Sequence, residues 1–226
     1  MRAPLRETKS RFKAAVRAVL RTNRGGALDE AALPAYAHSN PVIDLVFWRR
    51  LSVAFAEASR QQGRRALDFG CGTGVMSETL AKAGFSVTAI DLDLGPKRLL
   101  EKRVGFDRSI EFLEGDLLAL GLSAGSFDVI MALDVLEHIS PLAPYMRAFE
   151  RLLAPVGVLI VSGPTENGLY RLGRRLAGKE FTGHYHVCDV YDVAQSAREI
   201  LDVRTLARIF WPATLFEVLA CRKRGS

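Results

Sequence analysis

The stretch RRALDFGCGTGVMSETLAKAG, residues 64–84, constrains this chain more than any other. An apolar run leads into glycines at 70, 72 and 74, and an apolar pattern of helical period follows. A strand must therefore turn sharply into a helix, through a loop whose backbone a ligand can approach closely. The helix that opens near Val75 offers free backbone amides to whatever lies over that loop, though such a ligand need not be a phosphate. Two phosphate-gripping loops fit poorly. The dinucleotide fingerprint asks for glycine at its sixth position, where Val75 stands, with Gly74 one residue early. A P-loop asks for Lys-Ser or Lys-Thr after the glycines, and neither pair is present.

Strand and helix patterns alternate onward from there. RALDFG, SVTAID, IEFLEGD, FDVIMALDVL and GVLIVSGP read as strands, and VMSETLAKAG, GPKRLLEKRV and PLAPYMRAFERLLA as the helices between them. This order predicts a parallel sheet covered on both faces. After a helix, VYDVAQSAREIL, two strands, DVRTLARIF and LFEVLACRKR, end the chain with a short turn at Trp211 and Pro212. So short a connection forces them to pair antiparallel, since a parallel crossover needs a dozen residues or more. The polar stretch from 165 to 188 is too long for a plain connection and is a candidate lid. Upstream, a helix carrying Phe47 and Trp48 follows Pro41. The chain divides on this reading into a basic helical arm and cap, 1–60, and an α/β domain, 61–226.

Charge sharpens the division. The net charge is +6, yet residues 1–24 alone hold eight Lys or Arg against Glu7, while the remainder has 23 basic and 24 acidic residues. In ETKSRFKAAVRAVLRTN, Phe12, Val16, Val19 and Leu20 share one helical face, with Lys9, Lys13, Arg17 and Arg21 opposite. A helix packing its apolar stripe on its own domain is the favoured reading. Attachment to an anionic membrane surface or to nucleic acid is the alternative, and a mitochondrial presequence is a weaker third. No apolar run is long enough for a membrane span, and the N-terminus lacks the apolar core of a secretory signal. The three cysteines, 71, 188 and 221, suggest neither a disulfide framework nor a zinc site. A cytoplasmic location, with peripheral membrane contact through the arm left open, is the expectation.

LDFGCGTG resembles the first motif of the class I S-adenosylmethionine-dependent methyltransferases, and further motifs follow in that family's order. The likeness includes its ubiquinone-pathway O-methyltransferases and covers residues 64–165. It implies a Rossmann-like, seven-stranded, mostly parallel sheet with an antiparallel last strand, helices on both faces and here an N-terminal helical extension. It also implies S-adenosyl-L-methionine as cofactor. Asp68, Gly70, Cys71, Gly72 and Gly74 would form the loop beneath the methionine part. Asp91, which ends VTAIDLD 19 residues beyond Gly72, would accept from both ribose hydroxyls, a task suited to an acceptor-only carboxylate. Asp116, in FLEGDLLAL, would accept from the adenine amine, with Leu117 beside the ring. Ala132, Leu133 and Asp134, at the tip of FDVIMALDVLEHI, would flank cofactor and substrate.

The implied reaction is displacement at the activated methyl, so alignment of the two reactants is the protein's main contribution. An oxygen nucleophile also needs something to take its proton. His138, just past the fourth strand, has a near-neutral pKa that suits a base, but Glu137 and His138 equally read as the turn that opens the next helix. His184 and His186, in FTGHYHVCD, would point the same way on an extended segment, as bases, positioning groups or plain loop contacts. Their spacing with Asp134 and Glu137 is no dedicated metal motif; no metal is expected, although a divalent ion on these four is kept as an alternative. The fourth-strand tip lacks the Pro-Pro-aromatic motif of amino-methyltransferases on DNA bases, and the domain outside the arm is near neutral. The expected partner is therefore a small-molecule acceptor, lipid-like or a secondary metabolite, with nucleic acid disfavoured. A nicotinamide-dependent oxidoreductase and a non-catalytic cofactor-binding partner protein are the rival readings. Oligomeric state is not legible.

Overall fold

The computed structural model describes residues 2–22, 40–167, 187–210 and 212–225. Helices α1 (Ala3–Thr22) and α2 (Pro41–Ala58) precede β1 (Arg65–Phe69), α3 (Val75–Lys82), β2 (Ser86–Asp91), α4 (Gly95–Val104), β3 (Ile110–Glu114) and β4 (Phe127–Leu133). A 3-10 turn (Leu136–His138), α5 (Ala143–Leu152), β5 (Leu153–Pro164), α6 (Val190–Arg198), β6 (Leu201–Ile209) and β7 (Phe216–Lys223) complete the order. The seven strands form one sheet in the order β3-β2-β1-β4-β5-β7-β6. β1 to β5 run parallel, and β7 lies antiparallel between β5 and β6. This is the sheet expected from the sequence, with its reversed last strand. β5 begins at Leu153, earlier than the apolar run at Gly157 suggested, with an irregularity in register against β4 between Phe127 and Val129.

Strand residues alternate between two buried clusters, as period-2 geometry requires. Val129, Met131, Val158 and Ile160 face a core shared with α1 to α4, while Ile130, Ala132, Leu159 and Val161 face one shared with α5 and α6. Helices therefore cover both faces.

The apolar stripe of α1 belongs to the first of these cores. Leu5, Phe12 and Val16 are wholly buried and Val19 nearly so, each worth about 1.5–3 kcal/mol of burial. Phe12 meets Phe106 edge to face. Ion pairs fix the helix laterally: Lys9 and Lys13 share Asp44 of α2, Arg11 engages Glu78 of α3, and Glu7 engages Lys82. α2 starts at Asn40, whose side chain accepts from the Val42 amide, with proline in the first turn. Near its other end the buried Glu57 pairs with Arg60, Arg204 and Arg222, which ties the helix to the β6–β7 hairpin. No helix among the described residues is long and apolar enough to cross a membrane.

Candidate functional site

The loop between β1 and α3 lies at the C-terminal edge of the parallel strands, where open α/β sheets bind ligands. Its path is fixed by backbone donors. The amides of Gly70 and Cys71 both donate to the Ile90 carbonyl, at 2.8 and 3.1 Å, and Gly74 N donates to Cys71 O at 2.8 Å. Gly70 needs to be glycine: its φ is +70°, and a Cβ there would lie 2.4 Å from Val135. Gly72, at φ +52°, has nothing within 4 Å of where a Cβ would sit. The loop thus turns a bare backbone toward open space. Gly74 differs, since its Cβ would meet Phe106, so this glycine permits close packing of the helix start.

Asp91, at the end of β2, accepts from the Gly72 amide at 2.7 Å and, through its other oxygen, from Asp93 N at 3.3 Å. The carboxylate is thereby held beside the loop with acceptor capacity to spare. Asp68, 3% exposed, accepts from the Ser77 hydroxyl at 2.6 Å. Burial pushes its pKa up to about 6 against the hydrogen bonds from Ser77, with the Asp91 charge adding to the rise. The Cys71 thiol is also pushed up by burial, then by Asp68 and Asp91, which makes it a poor nucleophile. Asp68, Gly70, Cys71, Gly72 and Leu133 line one cleft together with Phe47 and Leu51 of α2. Thr73 lines it too, and its buried Oγ1 has no hydrogen-bond partner among the described residues. An aliphatic and aromatic wall, a bare glycine turn, two carboxylates and an orphan hydroxyl suit a nucleoside carrying a charged amino-acid tail.

Asp116 and Leu117 stand apart from the cleft lining. Asp116 accepts from Leu118 N at 3.0 Å, and the Tyr145 hydroxyl of α5 lies 3.2 Å from each of its carboxylate oxygens. Tyr145 in turn rests on Phe69, with ring centroids 5.8 Å apart. Burial, then the Asp116 charge, raises its pKa, so the phenol stays a donor. Leu117 is buried in the second core.

The tip of β4 holds a cluster in which sequence reasoning named Asp134 and Glu137 but missed their partner Arg50. Asp134 adopts φ +56°, a left-handed conformation costly for a residue with a Cβ. Its carboxylate accepts from the Ser162 hydroxyl at 2.9 Å and pairs with Arg50 of α2 at 2.7 Å. Arg50 is only 5% exposed, and its guanidinium stacks over Phe47 and Phe216, at 4.8 and 4.1 Å from their centroids. Glu137, also buried, has an Oε2 without a partner among the described residues. Burial, then the Asp134 charge, raises its pKa, with Arg50 opposing. His138, the residue singled out from sequence, is exposed at the end of the 3-10 turn. In the sequence Arg50 is one of four charged residues in α2, beside Arg49, and nothing local marks it as the one that turns inward.

His184 and His186 lie outside the described residues, as does most of the proposed lid. Its flanks are described. Asn167 donates to the carbonyls of Ala213 and Thr214, and the chain re-enters with Val187 N donating to Glu137 O at 2.8 Å. Among the described residues no group of three His, Cys, Asp or Glu is placed to hold a metal ion. Asp134, a member of the alternative ligand set, is already engaged by Arg50 and Ser162.

A family model described as a methyltransferase domain matches residues 44–211. The ubiquinone biosynthesis O-methyltransferase of Xanthomonas oryzae pv. oryzae (strain PXO99A) is 42% identical over 105 residues, 44% of this chain and 43% of that protein. Its counterpart from Caulobacter sp. (strain K31) is 37% identical over 106 residues, 45% and 41% of the two chains. The match thus spans about two fifths of these curated relatives' length. Among solved structures, the PH0226 protein of Pyrococcus horikoshii OT3 aligns with TM-score 0.67 at 19% identity, over 88% of this chain and 100% of the other. The N-methyltransferase NodS of Bradyrhizobium japonicum WM9, solved with S-adenosyl-L-homocysteine, aligns with TM-score 0.61 at 17% identity, over 93% and 98%. At such identities these likenesses show the shared fold.

Proposed function

The chain belongs to the methyltransferase-domain family, and from that premise we propose that it transfers a methyl group from S-adenosyl-L-methionine to an oxygen of a small, lipid-like or secondary-metabolite acceptor. The observation that carries this reading is the Gly72 turn, bare toward open space and braced by the Asp91 carboxylate. S-adenosyl-L-methionine, when bound, supplies a methyl group activated by its positive sulfur. The chain's own residues do the rest. Asp68, Gly70, Cys71, Gly72 and Gly74 form the seat of the methionine end; Asp91 accepts from the ribose, and Asp116 from the adenine amine, with Leu117 and Leu133 completing the apolar surround. Phe47 and Leu51 of α2 give the cleft an apolar wall, against which the aliphatic part of the bound cofactor would rest.

An oxygen acceptor needs a proton acceptor nearby. Glu137 suits that role through its unpartnered oxygen and raised proton affinity. His138, His184 and His186 are kept as proposals for the same role. The acceptor is sought among phenolic, isoprenoid and lipid-linked compounds, in keeping with the printed names of the ubiquinone-pathway relatives. A cytoplasmic setting accords with three free cysteines and with described helices too short or polar to span a bilayer.

Calorimetry with S-adenosyl-L-homocysteine tests the binding half. The wild type should bind, and Asp91→Ala should bind about 30- to 160-fold more weakly, as for lost charge-assisted hydrogen bonds of about 2–3 kcal/mol. Binding of NADH in place of the homocysteine compound would overturn the reading. Incubation with labelled methyl donor and a metabolite extract, followed by mass spectrometry, tests transfer. A methylated nitrogen or carbon product would correct the oxygen acceptor.

A further inference from the structure

α1 spends its apolar face on the protein itself, through Leu5, Phe12, Val16 and Val19, so none of that face is left to insert into a bilayer. What it turns outward is unusual. Arg2, Ala3, Arg6, Ser10, Ala14, Arg17 and Arg21 are all exposed, and at about 100° per residue they fall on one arc of roughly 120°. Arg6, Arg17 and Arg21 of α1, with Arg2 just before its first turn, thus run along about 28 Å, with Ala3, Ser10 and Ala14 between them and Lys13 on the α2 side. None of the four has a carboxylate partner among the described residues. The edges of the arc are electrically settled. Glu7 is engaged by Lys82 on one side, and Lys9 and Lys13 share Asp44 on the other. The positive field is local, because the chain beyond residue 24 is close to neutral.

The same Asp44 holds the first turn of α2 beside the middle of α1. Two aliphatic side chains of that turn face solvent, Val42 at 49% and Leu45 at 66% exposure. Aliphatic groups next to guanidinium groups match the boundary between lipid headgroups and acyl chains. A groove for single-stranded nucleic acid would want aromatic platforms, and the outward arc of α1 has none. We propose that the arginine face of α1, with Val42 and Leu45 at its edge, docks this protein on the surface of an anionic lipid bilayer. The contact is electrostatic and reversible, with two aliphatic side chains pressing into the headgroup layer. α2 also lends Phe47 and Leu51 to the cleft, so docking through its first turn brings the cleft wall within about 8 Å, along the helix axis, of the lipid surface. This goes beyond the proposed reaction and holds whether or not the chain transfers methyl groups.

The test is co-sedimentation of the full chain with phosphatidylcholine vesicles, with and without phosphatidylglycerol. Binding should require the anionic lipid and fall steeply with added salt. Each arginine near such a surface changes partitioning about fivefold, so the triple variant Arg6→Gln, Arg17→Gln, Arg21→Gln should lose about a hundredfold. Leu45→Ser should lose several-fold while keeping the salt dependence. S-adenosyl-L-homocysteine affinity, measured on the same triple variant, should be unchanged and reports that it is folded. Loss of that affinity in the wild type would sink the methyl-transfer reading and leave this one standing. The proposal is overturned if wild type ignores anionic vesicles, if the triple variant binds them as wild type does, or if single-stranded RNA displaces the chain from vesicles at equal phosphate concentration.

Discussion

The glycine loop and the β4 tip sit on the same edge of the sheet, yet they are built on opposite principles. The loop is made of backbone amides and carbonyls from residues 70–74 and 90, with one carboxylate as brace. The tip is made of side chains drawn from distant parts of the chain: Arg50 from α2, Asp134 and Glu137 from just past β4, and two aromatic rings close to the guanidinium. A site assembled from neighbouring backbone is insensitive to any single side chain outside it. One held by an ion pair responds to the loss of a single partner, because the partly buried charge that remains is left uncompensated.

That contrast can be broken first at Arg50. Arg50→Met should destabilise the protein by about 1–3 kcal/mol in urea unfolding, since it strands the partly buried Asp134 carboxylate and removes a buried guanidinium from its aromatic neighbours. Adding Asp134→Asn should recover part of the loss, since asparagine tolerates the left-handed backbone and removes the stranded charge. A cost below about 1 kcal/mol would mean that charge does not hold the tip.

The loop has its own ionisable group, and pH addresses it. Because burial raises the Asp68 pKa to about 6 from an ordinary 3.8, its protonated form is favoured by folding. Its stabilising contribution is complete below about pH 3.8 and disappears as pH rises through about 6, for a total of at most roughly 3 kcal/mol. Asp68→Asn should flatten that part of the stability–pH curve when urea midpoints are compared across this window. A bound ammonium group would favour the charged carboxylate, so S-adenosyl-L-homocysteine should bind more weakly below about pH 6 in wild type and without that dependence in the variant.

The smallest expected effect sharpens the comparison at the far end of the loop side. Tyr145→Phe removes a hydroxyl that touches both oxygens of Asp116. It should weaken S-adenosyl-L-homocysteine by about two- to twelvefold, the range of one hydrogen bond at about 0.5–1.5 kcal/mol. The loss should vanish when the ligand carries hypoxanthine in place of adenine, because the exocyclic amine is then missing. An equal loss for both ligands would make Tyr145 merely structural.

The same contrast explains what could be read from the sequence. Alternating strands and helices, the reversed last strand and the glycine turn are local in the chain, governed by period and by the special φ of a few residues. They were legible for that reason. The burial of the α1 stripe was legible too, since Phe12, Val16 and Val19 repeat at helical spacing. Arg50 was not, because a cation at one point of a helix gives no sign that it will meet an aspartate 84 residues later. His138 drew attention by its chemistry while Glu137 next to it took the buried place; a short 3-10 turn decides which of two adjacent side chains faces inward, and no periodicity reports it. Tyr145 reads as an ordinary helical residue until α5 is laid beside the exit of β3.

The chain returns to the described fold at Val187 by giving its amide proton to the carbonyl of Glu137. Cys188 N donates to the same carbonyl at 3.4 Å, so two consecutive amides tie this segment to the backbone of the acid with the raised proton affinity. Glu137 is thus held at its carbonyl by the chain at 187 and 188, while its side-chain Oε2 has no hydrogen-bond partner among the described residues.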